Sequence, residues 1–215
     1  MHGVNTSELA TSIKPAVTSG NLPVIVGTSP INMAMPTVMG ELPKVNQPVL
    51  CYTAKEYAEA VGYVKDYENF TLTEAADVFF KLYGMAPICV INVLDPTKHT
   101  KSVTEKLVTL VKDAYTEPVF GVLKSTVVIK SADGTKTFVN NTDYVLAFTT
   151  EGYLKVIKTG TAIAETQVSI EYDMLDSTKV TEADIIGGYD IATGKTTGLE
   201  LVENVFPKFR KVPTM

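Results

Sequence analysis

The chain has 215 residues, a formal charge of −5, 45% hydrophobic and 20% charged side chains, and no tryptophan. That is enough for a buried core in one or two domains, and too apolar for a disordered tail. The acidic balance argues against the clustered Lys and Arg of a nucleic-acid surface, and no run approaches the roughly 20 apolar residues of a membrane span, so neither nucleic-acid binding nor direct membrane insertion is expected.

The first fifteen residues, MHGVNTSELATSIKP, lack the basic region followed by an apolar run that marks a secretory signal. Val4, Leu9, Ile13 and Val17 are too widely spaced to bury one face of a helix or strand. Residues 1–20 therefore read as an extended arm that orders when something pairs with it, or as a frayed terminus. A core strand follows at Val24–Val26, its continuous apolar run suiting burial on both faces. Residues 28–48, with four prolines and three methionines, read as a long surface loop suited to partner contact.

A second strand, 49–52, leads into a helix with clear punctuation: Thr53-x-x-Glu56 is a capping box and Gly62 a stop. Thr71-x-x-Glu74 and Gly84 punctuate another helix in the same way, with Leu72, Ala75, Phe79, Leu82 and Tyr83 on one face. Residues 87–93 form a buried strand ending at Asp95-Pro96. Strands joined through helices by short connections indicate an α/β layer with parallel pairing. Residues 97–117 form a connector of open conformation, either a helix capped by Ser102-x-x-Glu105 or two short strands turning at Lys112-Asp113.

From 118 to 175 the pattern becomes short alternating runs, with hairpin turns expected at Asp133-Gly134, Glu151-Gly152 and Thr159-Gly160. Val127/Ile129 and Val168/Ile170/Tyr172 alternate with polar neighbours, as in an antiparallel module of about six strands with one wet face. In the return segment, 176–215, Thr181 with Asp184 caps a short helix that stops at Gly187-Gly188. Thr197-x-x-Glu200 is expected to cap a last helix with Leu199, Val202 and Phe206 inward, ended by Pro207. The fold class is then an α/β core layer (21–96 and 176–215) interrupted by an inserted antiparallel β domain (118–175), with an extended N-terminal arm.

Candidate chemistry thins out residue by residue. Gly194-Lys195-Thr196 suggests a phosphate loop and a nucleotide-binding enzyme, but Tyr189 stands where the loop needs its first glycine, and no strand leads in. Asp95 ends a strand as an acidic nucleotide-site residue would, but it precedes the Gly-Lys-Thr instead of following it. Cys51 or Cys89 with His99 would make a thiol enzyme, yet both cysteines sit mid-strand in apolar company, which keeps a thiol protonated. No Cys or His pair has metal-ligand spacing. Glu200 and Glu203 share a helix face and, with Asp190, read as solvated carboxylates. Catalytic, cofactor-binding and metal residues are accordingly expected to be none. A nucleotide-binding enzyme using the Gly194-Lys195-Thr196 turn and a surface receptor- or glycan-binding β module over 118–175 stand as the alternatives.

Five blocks carry a family resemblance: LPVIVGTSPINM (22–33), PVLCYTAKEYAEAVGY (48–63), TLTEAADVFFKLYGMAPICVINVLDPTKH (71–99), the Asp143-Tyr144 strand, and VTEADIIGGYDIATGKTTGLELVENVFPKF (180–209). Together, and in order, they resemble the N-terminal half of contractile phage tail sheath proteins. The most specific part is Ala183-Asp184-Ile185-Ile186-Gly187-Gly188 with Thr193-Gly194-Lys195 and Gly198-Leu199-Glu200. The resemblance implies a virion tail protein, assembled in the host cytoplasm, whose partners are identical sheath subunits, the tail tube protein and the baseplate. It implies an assembly role for the arm residues Val4, Leu9, Ile13 and Val17, makes Lys195 a candidate inter-subunit contact, and favours strands over 103–116. Such proteins continue past the position of Pro213, so it further implies that this chain is a truncated piece or a shorter variant.

Overall fold

The computed structural model describes residues 22–35, 45–191 and 193–214. The arm residues Val4, Leu9, Ile13 and Val17 lie outside them, as does the proline- and methionine-bearing stretch 36–44.

The core is a four-stranded sheet in the order β12 (Pro213–Thr214), β1 (Leu22–Gly27), β3 (Ile88–Asn92), β2 (Pro48–Cys51). All five residues of β3 are buried, because both faces of the sheet are covered. Ile88 and Val90 face a cluster with Tyr57, Val61, Leu72 and Ala76, while Cys89 and Ile91 face Leu22, Val24, Leu201 and Val205. A strand covered twice has no wet side, which explains its unbroken apolar sequence. β1 runs parallel to both β3 and β12, but β2 runs antiparallel to β3. The expected parallel pairing across the helices is therefore corrected for β2. Two helices lie between β2 and β3 in sequence, and the second returns the chain so that β3 runs opposite to β2.

Helix α1 (Ala54–Val61) obeys its punctuation: the Thr53 side chain accepts from the Glu56 N–H, and Gly62 ends the helix at φ 85°. Helix α2 (Thr71–Ala76) departs from it. Thr71 lies inside the helix, where its Oγ1 accepts the Thr28 N–H at 3.1 Å, so it caps nothing. Its last turns, Asp77–Leu82, are wound as a π-helix. A π turn takes up extra residues and rotates whatever follows by about 100° for each one. That swings Leu82 (70% exposed) and Tyr83 (66%) out of the face on which simple helical spacing puts them. The stretch after β1 is also less superficial than its composition suggests. Ser29 is buried, its hydroxyl donates to the Val61 carbonyl at 2.8 Å, and its N–H donates to Asn92 Oδ1 at 3.0 Å.

The open segment 97–117 resolves into strands. β4 (Thr100–Thr109) pairs along its length with β9 (Gln167–Leu175), and β5 (Ala114–Thr116) follows a tight reversal at Lys112 and Asp113, both at positive φ. Residues 100–116 thus belong to the β module and are no connector ahead of it. The module has two three-stranded antiparallel sheets. One is β4–β9–β6 (β6, Val128–Ser131); the other is β5–β8–β7 (β7, Tyr144–Phe148; β8, Leu154–Lys158). Both feed one core that includes Val108, Ile129, Leu146, Leu154, Val168 and Ile170. Asp133-Gly134 and Glu151-Gly152 sit at turns, but Thr159-Gly160 joins no hairpin, because β8 and β9 lie in different sheets. A β-bulge between Val103 and Lys106 turns the Lys106 side chain onto the fully buried Glu117, with Nζ 2.6 Å from Oε1. Burial disfavours the lysine's charge, but the bond to Glu117 outweighs this and holds its pKa above the ordinary value.

Candidate functional site

The stretch after β9 carries the most specific sequence pattern, and the structure builds it as a braced hairpin. Helix α3 (Glu182–Ile186) has a complete capping box: the Thr181 side chain accepts the Asp184 N–H, and Asp184 accepts the Thr181 N–H at 2.8 Å. The Thr181 hydroxyl, which donates to Asp184 Oδ2 at 2.6 Å, together with the Thr181 N–H and the nearby His99, holds the Asp184 carboxyl below the ordinary carboxylate range. His99 is buried, its Nδ1 accepting the Asp95 N–H at 2.9 Å and its Nε2 lying 3.5 Å from Asp184 Oδ2. The helix is thereby tied to the turn that follows β3.

Next, β10 (Gly188–Asp190) and β11 (Lys195–Thr197) pair antiparallel. Gly187 and Gly198 meet at the base of the hairpin, both at positive φ. A Cβ on Gly187 would lie 1.8 Å from the Thr197 carbonyl oxygen, and one on Gly198 2.6 Å from Gly187 Cα. Only glycine allows the two backbones to approach that closely. The spacing of the Gly-Gly…Gly signature is thus set by hairpin closure.

This corrects the return segment in two respects. Gly194-Lys195-Thr196 does not lead directly into a helix; Lys195 and Thr196 lie in β11, with Lys195 across the ladder from Asp190. A phosphate loop requires a compact turn of convergent N–H groups at a helix N-terminus, and an extended strand cannot supply it. The last helix also differs: a 3₁₀ stretch (Gly198–Asn204) precedes α4 (Val205–Phe209), and Thr197 makes no side-chain cap. At three residues per turn the inward positions shift, so Leu201 and Val205 are buried while Leu199 and Phe206 are exposed. Pro207 sits in the first turn of α4, where its missing N–H costs no bond.

The hairpin shows apolar side chains to solvent. Ile186 is 59% exposed, Tyr189 61% and Ile191 88%. Sequence reasoning passed over these residues, because it took the segment for a turn between helices. The usable signal was Tyr189 and Ile191 alternating with Asp190 between paired glycines.

The thiol candidates are far from reactive. Burial pushes Cys51 up to about 12, with Cys89 and Glu56 adding to the shift, and pushes Cys89 up to about 11. His99 is occupied by Asp95 and Asp184. No group of three or more His, Cys, Asp or Glu suited to a metal ion occurs among the described residues. Glu200, Glu203 and Asp190 are exposed. The hairpin offers apolar contact area at its described surface.

No family model matches the chain, and no solved structure matches it. It is 30% identical over 217 aligned residues to the tail sheath protein of Burkholderia phage BcepMu, an alignment that takes in 99% of this chain and 42% of that protein. The chain therefore spans less than half the length of this relative, and it is homologous to a phage tail sheath protein across nearly all of its own length.

Proposed function

We propose that the chain is a structural component of a contractile phage tail sheath. Identical subunits polymerise around the tail tube, engage the baseplate at one end, and contract to drive the tube through the host envelope for genome delivery. The observation that carries this reading is the similarity to a tail sheath protein over 99% of the chain. The exposed apolar hairpin supports it, because a helical lattice needs contact area that a solitary enzyme does not. On this reading the core sheet and its helices form an α/β layer facing the tube, the β module is an insertion into that layer, and residues 1–20 are an assembly arm. Strand addition by such an arm supplies main-chain hydrogen bonds between subunits.

Electron microscopy of the full-length product, alone and with tube protein, is expected to show tubes or rings. Persistent monomers across salt and concentration would overturn the proposal. Deleting residues 1–20 is expected to leave a folded subunit that forms no tubes, and normal tubes from that deletion would remove the arm from the scheme.

A further inference from the structure

Two differently charged apolar strips lie within the return segment. The first is the hairpin, with Ile186, Tyr189 and Ile191 exposed at its surface. Residues 182–203 hold five carboxylates against the single Lys195; Asp184 is engaged by Thr181 and Asp190 by Thr193, so the exposed Glu182, Glu200 and Glu203, on the elements that pack against the hairpin, set the charge of this strip. The second strip follows at once. Residues 205–214 hold three cations and no carboxylate, with Phe206 and Val212 half-exposed among them. Lys208 is engaged within the chain, donating to the Pro48 carbonyl at 2.8 Å and lying over the Phe209 ring. Arg210 and Lys211 therefore set the character of this strip.

We propose that the hairpin of one copy of this chain seats on the Phe206–Val212 strip of a second copy, in a head-to-tail contact. The proposal rests on the sheath reading for the existence of an ordered series of copies. Charge decides which surfaces meet. Hairpin against hairpin would press carboxylates together, and strip against strip would press cations together. Only the mixed pairing sets Glu200 and Glu203 against Arg210 and Lys211 while covering the apolar side chains of both. A contact between unlike surfaces does not close on itself as a two-fold dimer does; it propagates, as a lattice requires. The hairpin suits the inserting role because its base is closed by Gly187 and Gly198 and braced by the capped helix that precedes it, so little ordering cost falls there on binding. Among the other exposed apolar side chains, Leu82, Tyr83 and Met85 offer no such preference, since the neighbouring Lys81 is neutralised by Asp77 at 2.6 Å.

The test is charge exchange in the full chain. Glu200→Lys/Glu203→Lys gives a hairpin that repels the native strip, and Arg210→Glu/Lys211→Glu gives a strip that repels the native hairpin. In sedimentation velocity over a concentration series, each variant alone is expected to self-associate at least tenfold more weakly than wild type. An equimolar mixture of the two is expected to regain association, because the reversed hairpin then meets the reversed strip. Ile191→Asp, at a site too exposed to matter for folding, is expected to weaken association without moving the thermal midpoint. The proposal is overturned if the wild-type chain stays monomeric, if the variants associate like wild type, or if the mixture regains nothing. Loss of tube-protein co-sedimentation with self-association intact would assign the hairpin to the tube protein instead. Normal tubes from every variant would overturn this contact and leave the sheath reading standing, whereas a wild type that forms no tubes would remove that reading as well.

Discussion

Substituting Gly187 by alanine tests whether the signature glycines exist to close the hairpin. Two penalties fall on the change. At φ 76° and ψ −155° the backbone lies in a region essentially reserved for glycine, and an alanine there costs about 1–3 kcal/mol. Its Cβ would also stand 1.8 Å from the Thr197 carbonyl oxygen and 2.8 Å from Gly198 Cα, backbone atoms that cannot rotate aside. The base of the hairpin must then part, losing the Gly188–Thr197 pairing at about 1 kcal/mol for each hydrogen bond. The sum is about 2–4 kcal/mol, or roughly 30- to 700-fold in the opening equilibrium. The core sheet shares no strand with the hairpin, so the loss should appear as local opening more than as a fall in global stability. Hydrogen exchange resolved by residue is the assay: amides in 188–197 should exchange faster by up to that factor, with amides of β3 unchanged. Gly188→Ala is the control, since Gly188 is not at positive φ and a Cβ there would meet nothing within 4 Å. Equal exchange in the two variants would refute the closure argument.

Two further outcomes follow from charges inside the structure. Lys106→Met leaves the fully buried Glu117 without its cation and is expected to cost about 3–5 kcal/mol in urea unfolding. Lys106→Met/Glu117→Leu should recover most of that, short by about 1 kcal/mol for the Tyr115 hydroxyl that loses its acceptor; a single variant within 1 kcal/mol of wild type would show that the pair is idle. Asp184 has a depressed folded-state pKa, caused first by its bonds from Thr181 and then by His99. Its contribution is present above the unfolded value of about 4 and lost as pH falls through the folded value. The stability gap between wild type and Asp184→Asn should therefore narrow in thermal melts as pH drops below about 4, and a gap that stays constant would exclude the linkage.

Local chemistry was legible in the chain itself. The Thr53 cap and Gly62 stop, the Thr181–Asp184 box with its Gly187 stop, and the doubly buried run 88–92 depend on neighbours a few residues away, and the structure places each where its residues point. The alternation of Val168, Ile170 and Tyr172 likewise marks the face turned into the β core, although Ser169 between them is buried as well. The inertness of Cys51 and Cys89 could be read from their apolar company, because desolvation follows from composition around a buried strand.

Tertiary structure decided whatever depends on distant partners. Ser102-x-x-Glu105 is a sound helix cap in isolation, and it is overridden because β9, some 70 residues away, offers β4 a full ladder of hydrogen bonds. The direction of β2 relative to β3, the π turn that expels Leu82 and Tyr83, and the 3₁₀ turns that place Leu201 and Val205 inward are packing outcomes with no short-range signature. The Gly-Lys-Thr stretch draws the boundary clearly. Its residue spacing argued against a phosphate loop, but only the contact of Gly187 with Gly198 across the intervening hairpin shows what the glycines do. That contact is a close approach of two backbones, and a one-dimensional pattern records the glycines without recording the approach.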